Sequence, residues 1–329
     1  MPASTRATEE PTGPGPGRRE VLRLGLLGAT GSLALTTAGC DIRLESAAPV
    51  TMTAGRVPAP DERLLLAALA RATRLAALAE QAGRAEVAAR HTEQARVCRS
   101  LLAAAGVPLP AEGSVGTVTS PSVSGAPSSG APSAQPVTVA GLASAEAARD
   151  DLPWPVLAAA GPHRRLAVSL AAHDAATAAI LGATVAWPPG SRVPAAVATA
   201  QLEPARAAAY GIEVATARLP ADRRARLLET LTVLRHRAQR LSDAAGAAAG
   251  GPLAYTLPFP VDTPADAERL AAGVLAGLVS GGLAGLDDGP APQLSVEAIS
   301  AVVALLAEAV QLGSTWQVPQ NAFPGLVVR

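Results

Sequence analysis

Apolar and polar residues alternate with the period of an α-helix through most of the chain. Between residues 61 and 81 the leucines fall on one face, with an apolar side chain at Leu64, Leu65, Leu69, Leu75 and Leu78. Asp61, which follows Pro60, is placed to cap this helix at its N-terminus. A second helix is predicted over about 84–105, because Gly106 and Pro108 end the pattern there.

The same pattern predicts further helices towards the C-terminus. It resumes near Ala140, breaks at Pro153 and Pro155, and continues over about 162–186. Four more segments follow at about 193–217, 221–248, 264–286 and 295–316. We expect the apolar tail, residues 323–326, to pack back onto them. Because four antiparallel helices with short loops form a self-sufficient bundle, the sequence predicts an all-α fold with two helical bundles in tandem.

The two predicted bundles are residues 59–190 and 191–329. The first contains a Ser/Pro/Gly-rich segment, 112–138, which we expect to be a disordered linker. A short repeated motif supports an internal duplication: Arg90-His91-x-x-Gln94 in the first half parallels Arg235-His236-x-x-Gln239 in the second. Each copy is followed by an Ala-rich run that ends in Gly and Pro.

The composition of the chain favours helices and argues against one class of binding partner. Hydrophobic residues make up 49% of the chain but aromatic residues only 2%, so Ala, Leu and Val must build the core. Alanine and leucine favour helices, whereas the β-branched and aromatic runs typical of strands are scarce. The 27 basic and 27 acidic residues balance, which argues against a nucleic-acid partner, since that would require a basic surplus on one face.

The N-terminus has the pattern of an export signal. Residues 1–17 are polar and rich in Pro and Gly, and Arg18 and Arg19 then precede a short apolar stretch over 24–37. This stretch is too short and too rich in Gly and Thr to span a membrane comfortably. Paired arginines before a weakly hydrophobic segment indicate the twin-arginine route.

The apolar stretch ends in Thr37-Ala38-Gly39-Cys40, which resembles the lipobox of bacterial lipoproteins. The sequence therefore predicts a signal peptide over 1–39, a lipid on Cys40 and a tether over 40–58. The protein would then sit on the outer face of the cytoplasmic membrane, held there by its lipid anchor. An ordinary signal peptide cleaved elsewhere, or an uncleaved anchor, is the alternative. With Cys40 lipidated, Cys98 is left as a free thiol, which we expect to be buried.

The second half resembles a ferritin-like domain family of unknown function that occurs in exported bacterial proteins with a twin-arginine signal. The resemblance covers about residues 198–326 and rests on 203–211 (EPARAAAYG), 234–237 (LRHR), 255–261 (YTLPFPV), Trp316 and 323–325 (FPG). It implies a four-helix ferritin-like bundle and no established reaction. Two departures bear on metal binding: Pro204 follows Glu203 where the family often has His, and the run 271–283 lacks a carboxylate that the family often carries.

Three residues are candidate metal ligands: His91, Glu203 and His236. A ferritin-like di-iron site needs two Glu-x-x-His motifs, and the chain has none. His236 points away from the apolar stripe of its helix and is expected in solvent, whereas His91 shares a face with Val87, Ala95, Cys98 and Leu102 and is expected in the core.

Glu203 shares a face with Tyr210 and Val214 and could be buried against them. The alternative is a carboxylate near the start of a helix that begins at Pro204, where the helix dipole would favour it. No nucleophile–base spacing or phosphate-binding loop is recognisable. The sequence thus predicts neither a metal or cofactor nor catalytic residues.

From these patterns we expect an exported lipoprotein with a degenerate ferritin-like bundle and a non-catalytic interaction or envelope role. The alternative is a metal-binding ferritin-like oxidoreductase or metal-storage protein. In that case His91, Glu203 and His236 would converge on a di-iron or manganese centre. A pocket for a small molecule between the two bundles is a third possibility.

Overall fold

Nine α-helices account for the regular structure of the computed structural model, which describes residues 56–109, 136–246, 252, 254–287 and 293–326. These residues contain no strand, so the all-α prediction is confirmed for them. Residues 1–55, with the predicted export signal and Cys40, and most of the predicted linker lie outside the described residues. The helices are α1 Glu62–Gln81, α2 Ala85–Ala104, α3 Val139–Ala147, α4 Trp154–Ala158, α5 Arg164–Ile180, α6 Ala195–Arg218, α7 Ala221–Ala245, α8 Pro264–Ser280 and α9 Val296–Thr315.

Two helices end earlier than the apolar pattern predicts. α5 ends at Ile180 instead of near 186, because Gly182 adopts a positive φ of 93° that stops the helix. α8 ends at Ser280 instead of near 286, and Gly281 and Gly282 follow it. A side chain at Gly282 would contact Leu306 of α9, so the absence of one lets the end of α8 approach α9 closely. The spacing of apolar residues alone does not show where either glycine ends a helix.

Asp61 does not cap α1 as predicted. It precedes the helix, but its carboxylate makes no hydrogen bond to the first turn. The carboxylate instead accepts hydrogen bonds from the backbone N–H groups of Gly161 and His163, at 3.0 and 2.8 Å, just before α5. Because a carboxylate satisfies free N–H groups at any helix N-terminus, a residue from a distant segment can provide the cap. Asp61 thereby joins the starts of α1 and α5.

Helices α6 and α7 form an antiparallel hairpin across a two-residue connection. Ala198, Leu202 and Ala205, near the start of α6, pack with Leu241 near the end of α7. Farther along, Ile212 and Ala215 of α6 pack with leucines from the first half of α7. α8 packs against α6, and α9 packs against α8.

The core crosses the predicted boundary between residues 190 and 191. α9 packs against α5 as well as α8, and the largest apolar cluster combines Val168 and Ala172 of α5 with Val302 and Leu306 of α9. Among the described helices only α9 is long and apolar enough to cross a membrane. Most of its residues are buried between its neighbours, as expected for the central helix of a packed core.

The C-terminal tail packs back onto the helices, as predicted. Phe323 is 4% exposed and lies in a cluster with Leu65 of α1, Leu102 of α2 and Leu170 of α5. Gly325 has a positive φ of 79°, and a side chain there would collide with Leu283. The tail therefore closes over the first three long helices, which brings it next to the polar interior described below.

Candidate functional site

The candidate site is a group of polar side chains buried between α1, α2, α3 and α5, here called the buried polar cluster. No other part of the described core holds so many ionisable groups together. Its members come from four helices and the segment after α3: Arg71 of α1, His91 and Gln94 of α2, Glu146 of α3, Arg149, and His173 and Asp174 of α5. Six are at most 3% exposed. The Arg149 side chain is 9% exposed.

The sequence of α5 explains how two polar residues come to lie in the interior. Nine of the thirteen residues from Leu166 to Ala178 are apolar, and all thirteen are buried. A helix that is apolar on all sides is buried on all sides. His173 and Asp174 are consecutive within this run, so they point in different directions and meet different neighbours. Asp174 meets α1, and His173 meets α2.

Asp174 is held by two arginines. Nε of Arg71 donates to Oδ2 over 2.7 Å, and Nη1 of Arg149 lies 3.4 Å from the same oxygen. Arg71 also donates to the backbone carbonyl of Glu146 over 2.9 Å. Burial alone would raise the pKa of Asp174, but the positive charges of Arg71 and Arg149 beside it lower the pKa far below its ordinary value. Asp174 is therefore ionised at neutral pH.

The ring of His91 is oriented by a chain of hydrogen bonds that reaches the C-terminal tail. The amide nitrogen of Gln94 donates to the carbonyl oxygen of Ala322 over 2.7 Å, which leaves Oε1 of Gln94 as an acceptor. That oxygen lies 2.8 Å from Nδ1 of His91, so Nδ1 carries a proton. Nε2 therefore points at Glu146, with 2.6 Å between Nε2 and Oε1.

The contact between His91 and Glu146 affects the charge of the imidazole. Burial lowers the pKa of His91, but the hydrogen bond to Glu146 and the negative charges of Glu146 and Asp174 outweigh it, so the net pKa is raised. Nε2 can thus hold a proton shared with Glu146. Without that proton, the same nitrogen has a lone pair that can bind a cation.

His173 and one oxygen of Glu146 have unused hydrogen-bonding capacity. Neither ring nitrogen of His173, nor Oε2 of Glu146, has a hydrogen-bond partner among the described residues. The rings of His173 and His91 meet edge to face, with 5.1 Å between their centroids. Burial lowers the pKa of His173, so its imidazole is neutral. A buried polar atom without a partner costs about 1–3 kcal/mol, and such atoms commonly mark a water or an ion.

The space beside the buried polar cluster is small. A cavity of ≈ 10 Å³ lies between α1, α2 and α5, lined by Arg71, Gln94 and Asp174 together with apolar side chains. This is about the smallest cavity that holds one water. One ring nitrogen of each histidine and one oxygen of Asp174 lie within 4.8 Å of one another. The cluster can therefore move a proton or hold a single ion, but it has no room for an organic substrate.

The structure does not bring the three predicted ligands together. His91 is fully buried, as predicted, and His236 lies on the exposed face of α7, also as predicted. The Glu203 side chain is 52% exposed, where it accepts hydrogen bonds from Tyr255 and Arg206. It is not buried against Tyr210 and Val214, and Pro204 lies inside α6 instead of starting it. Of these three, only His91 belongs to a group of described residues that could hold a metal.

Sequence reasoning missed the residues that do surround His91. His173 and Asp174 are the only ionisable residues between Leu166 and Ala178, in an Ala-rich stretch of helix without a polar face, and this pattern indicates buried ionisable residues. Arg71 occupies the apolar face of α1, seven residues after Leu64 and three after Ala68. Glu146 carries no comparable sign in the sequence, because α3 is short and follows the predicted linker.

Cys98 is a free, fully buried cysteine, as predicted. Burial raises the pKa of its thiol to about 12. It lies in the apolar cluster under the C-terminal tail and is not part of the buried polar cluster.

Comparison with known proteins gives no match: no protein-family model matches the chain, and no curated protein sequence or solved structure is significantly similar to it.

Proposed function

We propose that the chain is an exported, membrane-anchored lipoprotein whose helical domain has an interaction or envelope role and no catalytic one. Arg18, Arg19 and Cys40 support export and anchoring. The observation that carries the non-catalytic part is the enclosure of the buried polar cluster. Ligand pockets for organic molecules typically measure about 300–1,000 Å³, whereas the cavity beside this cluster measures ≈ 10 Å³. Two pockets of the larger size, ≈ 670 and ≈ 560 Å³, are lined by none of the members of the cluster.

We propose further that α6, α7, α8 and α9 form the ferritin-like four-helix bundle that the resemblance implies. Three pairings support this arrangement: α6 with α7, α6 with α8, and α8 with α9. The interior between these helices contains Arg237, which donates to Oε1 of Gln201 over 3.0 Å and to the carbonyl of Leu305 over 2.6 Å. An arginine where such bundles hold metal-binding carboxylates supports a degenerate bundle.

Expression of the full chain in a bacterium with a twin-arginine pathway tests export and anchoring. Replacing both arginines by lysine (Arg18→Lys with Arg19→Lys) is expected to retain the protein in the cytoplasm. Cys40→Ala is expected to allow export but release the protein from the membrane, while Cys98→Ala leaves it anchored. Membrane attachment of the Cys40→Ala variant would contradict a lipid anchor at this residue.

A second candidate function is the metal-dependent oxidoreductase or metal store. The observation in its favour is the pair of histidines beside two carboxylates in the buried polar cluster. Ferritin-like di-iron sites use four carboxylates and two histidines. The buried polar cluster has two histidines but only two carboxylates. Oxygen consumption by the full chain in the presence of excess Fe²⁺ distinguishes the two functions. Repeated turnover would overturn the non-catalytic proposal, and background rates would support it.

A further inference from the structure

The buried polar cluster brings possible metal ligands together at the junction of α2, α3 and α5. One ring nitrogen each of His91 and His173 and one oxygen of Asp174 lie within 4.8 Å of one another, and Nε2 of His91 also contacts Oε1 of Glu146 over 2.6 Å. Nδ1 of His173 and Oδ1 of Asp174 are 3.8 Å apart, which is too far for a hydrogen bond. Ligand atoms around a tetrahedral ion at ~2.0–2.1 Å lie about 3.4 Å apart.

We infer that α2, α3 and α5 enclose a binding site for one divalent transition-metal ion, held by His91, His173 and Asp174, with Glu146 beside His91 as a fourth ligand. The site goes beyond the proposed function, because a closed site that stabilises the fold needs no catalytic role. If it were absent, the proposals of export and of a scaffold role would stand.

The orientation of His91 supports this site independently of the spacing. A histidine that binds a metal through one nitrogen almost always donates its other N–H to an oxygen, which fixes the ring. His91 does so through Nδ1 to Gln94, and Gln94 is itself fixed by the carbonyl of Ala322. Nε2 is thereby directed into the cluster. Such a second hydrogen bond distinguishes a histidine positioned to bind a metal from a histidine that is merely buried.

The unused atoms give a second argument. His173 is 2% exposed and Glu146 is not exposed at all. Yet His173 has no hydrogen bond through either nitrogen within the described part of the chain, and Glu146 has none through Oε2. A metal ion coordinated by these atoms would satisfy Oε2 and one ring nitrogen at once. His173 is neutral when buried, which is the form that binds a metal.

The charges of the cluster select which ions can bind. Arg71 and Arg149 already balance Asp174 and Glu146, so a divalent ion adds positive charge in a buried position. The attraction must therefore come chiefly from the two imidazole nitrogens. Imidazole suits Zn²⁺ and Co²⁺, whereas Ca²⁺ and Mg²⁺ require a shell of oxygens. The site should thus bind Zn²⁺ and Co²⁺ and reject Ca²⁺ and Mg²⁺.

Titration of the metal-free full chain with Co²⁺ tests the site. The site predicts saturable binding of one Co²⁺ per chain, a visible absorption band typical of nitrogen and oxygen ligands, and displacement of Co²⁺ by Zn²⁺. Ca²⁺ or Mg²⁺ at a hundredfold excess should not displace it. Lack of saturable binding to the folded wild-type chain would overturn the inference and would show that arginines, carboxylates and protonated His91 complete the cluster alone.

Variants locate the bound ion. His173→Phe and Glu146→Gln are each expected to weaken Co²⁺ binding by at least about tenfold. His236→Phe and Glu203→Gln change exposed residues of the same types and should leave the affinity unchanged. Circular dichroism shows whether each variant folds. If a variant does not fold, the Co²⁺ titration of the wild-type chain alone tests the site. Weaker binding in the His236→Phe control but not in His173→Phe would place the ion elsewhere and contradict the site.

Discussion

Nδ1 of His91 donates a hydrogen bond to Oε1 of Gln94, with 2.8 Å between the two atoms, and so joins the polar interior to the C-terminal tail. The amide nitrogen of Gln94 completes the link by donating to Ala322 in that tail. The tail in turn places Phe323 against α1, α2 and α5. The orientation of a buried histidine thus depends on a segment more than two hundred residues away in the sequence.

Replacing Gln94 by leucine is expected to destabilise the protein and loosen the tail. Gln94→Leu leaves Nδ1 of His91 and the carbonyl of Ala322 buried without partners, and each such group costs about 1–3 kcal/mol. Urea unfolding measures the loss. The matched control is Gln239→Leu, which changes the equivalent glutamine of the repeated motif on the exposed face of α7. That change is expected to lower the free energy of unfolding by no more than roughly 0.5 kcal/mol. Equal losses of stability in the two variants would contradict this role of Gln94.

The ion pair between Arg71 and Asp174 is expected to matter far more than exposed pairs in the same protein. Arg71→Met leaves the buried carboxylate with only the longer contact to Arg149, and removal of one partner of a buried pair costs about 3–5 kcal/mol. Arg223→Met removes the exposed ion pair with Glu268 and should cost about 0–1 kcal/mol. Thermal and urea unfolding of both variants give the comparison. Similar losses would mean that Asp174 is satisfied without Arg71.

Gly285 is expected to tolerate no side chain. Its φ is 76°, and a Cβ there would lie 2.5 Å from the carbonyl oxygen of Ala196 at the start of α6. Gly285→Ala therefore combines a left-handed backbone, about 1–2 kcal/mol for a residue other than glycine, with a collision that adds about 1–3 kcal/mol.

Gly83 provides the control for Gly285, because its φ is 68° and open space surrounds it. Gly83→Ala should show the backbone cost alone. Free energies of unfolding that are equal for the two variants would show that α6 shifts to accommodate the added methyl group.

The Cys98 thiol is expected to resist alkylation in the folded protein. Burial raises its pKa to about 12, so almost none is thiolate at pH 8. Iodoacetamide should label it only at the rate at which the protein unfolds, whereas urea-unfolded protein should react at once. Rapid labelling of the native chain would show that the cluster beneath the tail opens readily.

The same thiol gives the stability of the protein a dependence on alkaline pH. Its folded-state pKa lies above the ordinary value of 9.0. The folded state therefore holds a proton that the unfolded state loses, and the stabilisation is complete below pH 9. The contribution should disappear as the pH rises through about 12. Urea unfolding at several alkaline pH values should show a steeper decline for wild type than for Cys98→Ala, and parallel declines would contradict the assignment.

Local pattern predicted the helices well but not the partners of the buried polar residues. Apolar spacing located α1, α2, α6, α7 and α9 to within a few residues, since each has a long, regular face. The ends of α5 and α8 were predicted too far along the chain, because Gly182 has a positive φ and Gly282 packs closely against α9. The carboxylate of Asp61 was assigned to the wrong helix because its true partners are a hundred residues away.

The candidate site was predicted only at His91. Helical phase placed this residue in the core and His236 in solvent, and both predictions are confirmed. The search for Glu-x-x-His motifs missed the cluster because its residues come from separate helices. Glu146 follows the predicted linker, and His173 and Asp174 lie in a helix whose composition masks them. Only the packing of α1, α2, α3 and α5 brings them together.

Anomalous X-ray diffraction from crystals of the zinc-loaded protein, recorded on both sides of the zinc edge, tests the metal site most directly. One peak per chain is expected in the buried polar cluster, about 2.0–2.2 Å from a nitrogen of His91, a nitrogen of His173 and an oxygen of Asp174. A cluster without an anomalous peak, with Nε2 of His91 still hydrogen-bonded to Glu146, would contradict it.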